Sequence, residues 1–288
     1  MVDFSAAFPL PAWVALAGIF GLLIGSFLNV VIHRVPKMLE NEMRHECACI
    51  DLPVDAEPPA LPRYNLVVPR SACPSCGHMI SALENIPVLS WLALRGRCRH
   101  CKTPISPRYP LVESLTAVLS ILVVWHFGVT LAAVGGLILT WYLIALFFID
   151  ADTYLLPDSL TLPLVWLGLL FNISATYVPL SDAVIGAVAG YLALWSVFWL
   201  FKLVTGKEGM GYGDFKLLAA LGAWLGWQAL PAIILLSSVA GAVLGIVMIV
   251  LARHGWGKPM PFGPYLALAG LMALLLGERL YVLYGLGV

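Results

Sequence analysis

Two aspartates lie where an apolar chain should least tolerate them. Asp150 ends the run Leu137–Ile149, in Phe147-Phe148-Ile149-Asp150-Ala151-Asp152. Asp214 closes Gly209-Met210-Gly211-Tyr212-Gly213-Asp214, immediately before Phe215-Lys216-Leu217-Leu218. A carboxylate at the edge of lipid is costly, so an ionisable residue there is a functional candidate by default. Two carboxylates held close cannot both ionise cheaply and share one proton. One can then act as base toward a water while the other, protonated, polarises a carbonyl. That chemistry hydrolyses a peptide bond without a metal, serine or cysteine. Gly211 and Gly213 suit it, because glycine lets backbone approach a substrate or a partner helix closely. For either aspartate alone, an interfacial helix cap is the plainer reading. The G-x-G-D stretch, with both residues on one side of the membrane, favours catalysis. Asp152, further into water, reads as a solvated charge. Asp158, after Pro157 and before Ser159-Leu160-Thr161, reads as a helix N-cap.

A second constellation is built from thiols. All six cysteines fall between Cys47 and Cys101. Cys73-Pro74-Ser75-Cys76 and Cys98-Arg99-His100-Cys101 are two C-x-x-C pairs separated by 21 residues. Each pair bends the chain so that two sulfurs face one ion, and four thiolates complete a tetrahedral zinc site. A closed four-sulfur set leaves no open position, so the expected zinc is structural. His78 and His100 lie nearby, but the sulfurs already complete the site. Cys47 and Cys49 form only C-x-C, in a Pro- and acid-rich stretch expected to be loop.

The elements that must position these groups are helices in a membrane. The chain has 288 residues, 61% hydrophobic and 11% charged, with mean hydropathy +0.92, far above a soluble domain. Its apolar runs are continuous rather than alternating, which excludes a β-barrel. An all-α polytopic membrane protein is expected, with eight spans near 12–32, 110–128, 131–149, 159–178, 183–204, 214–229, 231–252 and 262–284. Pro231 is the expected break in the long stretch 214–252. Trp13–Ile32 is longer than a signal-peptide core and lacks a basic leader, so it reads as a span. The expected division is a first span, 1–32; a cytoplasmic zinc-knuckle segment, 33–109; and seven membrane helices, 110–288.

The segment His33–Arg108 holds ten of the 16 lysines and arginines. Basic residues near span ends stay cytoplasmic, which places this segment inside and the N-terminus outside. Parity then brings Asp150 and Asp214 to the cytoplasmic side. Lys202, Lys207 and Lys216 flank Asp214, and Arg253 and Lys258 fall in the last inner loop.

Other polar residues give weaker signals. Glu113 reads equally as an interior polar group or as a snorkelling interfacial one. Asn29 reads as helix–helix glue, and Glu84-Asn85 as part of a substrate surface. Pro259-Met260-Pro261-Phe262-Gly263-Pro264 reads as a stiff lead-in without chemistry of its own, and His126 and His254 as interfacial.

Over nearly its whole length the chain resembles the bacterial type IV prepilin peptidases. The resemblance rests on Gly25-Ser26-Phe27-Leu28-Asn29-Val30 with His33-Arg34, the paired C-x-x-C segment, and Arg108-Tyr109-Pro110-Leu111-Val112-Glu113. It continues through Asp150-Ala151-Asp152 with Leu155-Leu156-Pro157-Asp158, Gly209–Lys216, and Pro261-Phe262-Gly263-Pro264-Tyr265. It implies catalytic aspartates at Asp150 and Asp214 and zinc ligands at Cys73, Cys76, Cys98 and Cys101. It also implies an inner-membrane enzyme that cuts the basic leader of prepilins and type II secretion pseudopilins after Gly. The residue so exposed would be N-methylated with S-adenosylmethionine. Lipid and pilin substrates are the implied partners, and no nucleic acid is expected. The methyltransferase half rests on resemblance alone, since no Gly-rich nucleotide fingerprint follows a strand. Two alternatives are a presenilin-like protease cutting within a span, and an ion-coupled transporter with a carboxylate relay. The transporter would be favoured by internal repeats, and none is found.

Overall fold

The computed structural model describes residues 9–50, 63–252 and 260–283; Arg253, His254 and Lys258 lie outside them. Among the described residues the fold is all helix: α1 Leu10–Ile50, α2 Leu89–Ala93, α3 Arg108–Phe127, α4 Leu131–Thr153, α5 Asp158–Asn172, α6 Leu180–Thr205, α7 Tyr212–Leu225, α8 Leu230–Ala252 and α9 Gly263–Leu283. Extended pairing is limited there to two isolated bridges, Ala72 with Met79 and Arg97 with Pro104. Five helical stretches are long and apolar enough to cross a membrane: α1, α3, α4, α6 and Trp227–Val247. The protein is therefore a multi-pass membrane protein. It divides into two compact units, Pro11–Leu122 and the chain from Val123 onward.

Each expected span coincides with a helix, but three boundaries differ for physical reasons. First, α1 does not stop near residue 32. Its 41 residues make about 60 Å of helix, twice the ~30 Å hydrocarbon core of a bilayer. The extra turns, Met38–Ile50, carry good helix formers and an i,i+4 Arg44–Glu40 ion pair. Cys47 and Cys49 thus sit on a helix rather than in a loop. Second, α5 stops at Asn172 instead of running to 178. Third, the break before α8 falls at Gly226 (φ 79°), followed by a 3₁₀ turn over Trp227–Ala229. Pro231 sits in the first turn of α8, where its missing N–H costs nothing.

In the first unit, α1 lies against α3 along Gly18, Gly21 and Gly25. A Cβ on Gly25 would come within 2.6 Å of Glu113 Cα, and one on Gly21 within 2.8 Å of Ala117 Cα. Such small-residue stripes let membrane helices pack backbone to backbone. The Asn29 side chain adds a polar tie, donating to the Tyr109 carbonyl (3.1 Å).

The second unit is organised around α7. This helix has only 14 residues, and Leu217 through Leu225 are all buried, the all-round apolar pattern of a fully enclosed helix. It packs against α5, α6 and α9. A Cβ on Gly222 would lie 2.1 Å from the Gly186 carbonyl oxygen, so α6 and α7 touch through their main chains. Trp224 seals the far end, donating from Nε1 to the Leu164 carbonyl (2.8 Å).

Asn172 explains where α5 ends. Its Nδ2 donates to the Ala223 and Trp224 carbonyls (2.9 and 3.0 Å), and its Oδ1 accepts from the Tyr177 and Val178 N–H groups (3.0 and 3.2 Å). One buried amide thus satisfies the loop after α5 and the C-terminal carbonyls of α7. Asn172→Ala should strand these groups and cost about 2–3 kcal/mol, read as a lowered thermal midpoint of the purified protein in detergent.

Candidate functional site

Asp150 lies in the last turn of α4, which Tyr154 closes in the left-handed region (φ 58°). Asp214 is the third residue of α7, whose N-cap is Gly211. It therefore does not cap the helix. Both carboxylates are buried, at 5% and 6% exposure, and each lies within electrostatic reach of the other.

Their partners differ. A helix C-terminus is the unfavourable end for a carboxylate, and Asp150 is compensated from elsewhere: its Oδ2 accepts the Gly263 N–H (2.9 Å) at the start of α9. That N–H is one of the four a helix leaves unpaired at its N-terminus. The position requires glycine, since a Cβ on Gly263 would sit 2.6 Å from Asp150 Oδ2. The stretch around Gly263, read from sequence as having no chemistry, therefore supplies a direct contact to the site. Its signal was the Gly-Pro pair at a helix start. Asp214 Oδ1, by contrast, is buried without a hydrogen-bond partner among the described residues. Gly213 lets α7 approach Leu156, whose Cβ would be 2.6 Å from a Cβ there.

The rival aspartates stand apart. Asp152 is exposed. Asp158 is not an N-cap: Pro157 holds that position, and Asp158 opens α5 and pairs with Lys216 Nζ at 2.6 Å.

In the first unit the four sulfurs of Cys73, Cys76, Cys98 and Cys101 lie within 4.8 Å of one another and could hold a metal ion. The two C-x-x-C turns are built alike. Gly77 N–H donates to the Cys73 carbonyl (2.9 Å), and Lys102 N–H to the Cys98 carbonyl (3.1 Å). Both Gly77 and Lys102 have positive φ (71° and 61°), which glycine adopts freely and lysine does not. The separation of 3.7 Å between Cys73 Sγ and Cys101 Sγ matches the ~3.8 Å edge of a tetrahedron with Zn–S bonds of ~2.3 Å.

The thiols also compete for charge. The Thr103 hydroxyl, then its main-chain N–H, draw the Cys101 thiol down to about 6. At Cys76 the main-chain N–H of His78 favours the thiolate, but desolvation and the neighbouring thiols push the group up to about 12. Four thiolates this close need a cation to coexist.

Glu113 is not a snorkelling residue. It is buried at 8% exposure and its Oε2 accepts the Val88 N–H (2.7 Å). His78 and His100 stack 5.7 Å apart beside the thiols, and Glu84 Oε2 lies 3.4 Å from His78 Nε2.

A model of the bacterial peptidase A24 N-terminal domain matches residues 19–127, and one of the type IV leader peptidase family matches residues 137–246. The chain belongs to the type IV leader peptidase family. Proteins named prepilin leader peptidase/N-methyltransferase are similar to it almost end to end. One from Aeromonas salmonicida (strain A449) is 61% identical, covering 93% of this chain and 92% of its own. One from Pseudomonas aeruginosa is 58% identical over 97% and 96%, and one from Stutzerimonas stutzeri 57% over 98% and 97%. No solved structure matches the chain.

The thiol arrangement makes a sharp prediction. Cys101 is drawn toward the thiolate and Cys76 toward the thiol, although Cys76 is the more exposed. In metal-free protein iodoacetamide should therefore alkylate Cys101 first, as read by peptide mass spectrometry; Cys76 reacting first would contradict the assigned charges.

Proposed function

We propose that this enzyme cuts the basic leader of type IV prepilins and type II secretion pseudopilins after a glycine, and N-methylates the residue so exposed. The observation that carries the reading is a pair of buried carboxylates within electrostatic reach of one another, Asp150 held by a main-chain N–H and Asp214 with an oxygen unengaged. The family membership and the names of its relatives agree with it.

Asp150 and Asp214 are the proposed catalytic pair. With one proton between them, the ionised member takes a proton from a water, which attacks the scissile carbonyl. The protonated member hydrogen-bonds the carbonyl oxygen as its charge grows. Collapse passes a proton to the leaving amine. The unengaged Asp214 oxygen suits a water or a substrate carbonyl, and the Gly209–Gly213 stretch before it suits an extended peptide.

Cys73, Cys76, Cys98 and Cys101 are the proposed ligands of one zinc ion. The ion would supply the positive charge that lets four thiolates coexist and would fasten the two turns; it has a structural role. S-adenosylmethionine is the proposed methyl donor. The proposed division of labour follows the chain: a first span over 1–32, a metal-binding segment over 33–109, and a seven-helix peptidase domain over 110–288.

The proposed orientation in the bacterial inner membrane puts the metal-binding segment and both aspartates on the cytoplasmic side, and the N-terminus outside. Arg34, Lys37, Lys102 and Arg108 at the span ends of the first unit support it, as do Lys202, Lys207 and Lys216 near Asp214. A basic leader is retained on that same side by the same rule.

Asp150→Asn and Asp214→Asn should each leave protein level and thermal midpoint near wild type while cutting leader cleavage by at least about 10³-fold, measured by electrophoresis of prepilin after incubation in detergent. Retained cleavage in either variant would remove it from the pair. Metal analysis of the purified protein should find about one zinc per chain, and serine replacements at two of the four cysteines should abolish it.

A further inference from the structure

The first unit contains a cavity of about 560 Å³ walled in part by Ser26, Asn29, Arg34, Trp91 and Glu113. That volume is within the ~300–1,000 Å³ of small-molecule sites. Glu113 is its least expected feature. The carboxylate accepts hydrogen bonds from the Val88 N–H and the Ser26 hydroxyl, yet forms no ion pair with a lysine or arginine among the described residues. A buried, uncompensated carboxylate is expensive. Arg70, Arg99 and a second carboxylate, Glu84, also line the cavity; Glu84 lies 4.0 Å from the Arg99 guanidinium, which leaves Glu113 as the lining carboxylate open to a ligand cation.

The rest of the wall narrows the class. Arg34 donates to the Asn65 and Pro69 carbonyls (2.8 and 2.6 Å), and a guanidinium has further N–H groups to offer a ligand carboxylate. The Trp91 side chain provides a flat apolar surface, its Nε1 already occupied by the Ile105 carbonyl (3.2 Å). A ligand with a cationic centre, a carboxylate and a planar base would use all three.

We propose that this cavity is the methyl-donor site, with the Glu113 carboxylate facing the sulfonium of S-adenosylmethionine. The inference rests on the methyltransferase reading above. It makes Glu113 a binding residue whose charge, rather than whose hydrogen bonds, matters.

That distinction is measurable. Glu113→Gln keeps an acceptor for Val88 and Ser26 but loses the charge, whereas Glu113→Asp keeps the charge. Radiolabelled S-adenosylmethionine and its neutral thioether product, S-adenosylhomocysteine, differ at the sulfonium. Both would be measured by equilibrium dialysis against the metal-loaded full chain in detergent, with thermal midpoints recorded alongside. Glu113→Gln should weaken the sulfonium ligand by about tenfold or more relative to the thioether, and Glu113→Asp should retain the preference. Equal weakening of both ligands by Glu113→Gln would show a purely structural residue and overturn the proposal. So would an unchanged affinity ratio with a raised KM for the cleaved pilin, which would assign the cation to the pilin amine. If wild type methylates and binds the donor but neither variant alters the ratio, the inference falls alone. If wild type cleaves yet neither binds nor transfers, the methyltransferase reading falls with it.

Discussion

The second unit depends on how closely one short helix can approach its neighbours. At Gly222 and Gly186 the main chains of α7 and α6 meet with no room for a single methyl. Gly190 extends the contact, since a Cβ there would lie 2.6 Å from the Leu218 carbonyl oxygen. With only 14 residues, α7 spans about 21 Å, less than the ~30 Å of a bilayer core. It can lie inside the bundle only because α5, α6 and α9 enclose it. Its first turn, carrying Asp214, is thereby held by packing rather than by a loop, and a site built on packed helices is held more firmly than one built on loops.

The same enclosure creates the electrostatic problem that the rest of the site answers. A buried carboxylate needs partners, and α7 offers Asp214 none for one oxygen. The partner for Asp150 comes from the start of α9, through a main-chain N–H that any helix N-terminus leaves free. Glycine at 263 is what allows that N–H to reach the oxygen. The first unit faces a related problem with sulfur in place of oxygen. There the proximity of four thiols makes full ionisation unfavourable without a cation, and two matched turns bring the sulfurs to the spacing that zinc would require.

Sequence revealed what is local and what is costly. Continuous apolar runs located every long helix, C-x-x-C spacing located the thiol cluster, and the expense of carboxylates near lipid singled out Asp150 and Asp214. Features carried by main chain or by distant partners were hidden. Gly263 acts through its N–H, 113 residues from Asp150, and has no side chain to advertise it. Asp158 looked like a cap because its ion-pair partner, Lys216, is 58 residues away. The helical continuation Met38–Ile50 was masked by the Pro- and acid-rich residues that follow it, although its own composition favours helix. The end of α5 at Asn172 follows from hydrogen bonds to α7, a tertiary cause that periodicity does not report.

Three buried carboxylates, Asp150, Asp214 and Glu113, show what such a protein gains from groups that lipid penalises. Each is desolvated, and desolvation strengthens every interaction the group then makes. In water, neither a shared proton between two aspartates nor a single carboxylate facing a cation would be worth much. Inside packed helices, both interactions would be far stronger. The cost of burial is met by stability elsewhere: main-chain contacts at glycines, the Asn172 amide, and the apolar enclosure of α7. The contacts that stabilise the fold and the three buried carboxylates are therefore carried by different residues.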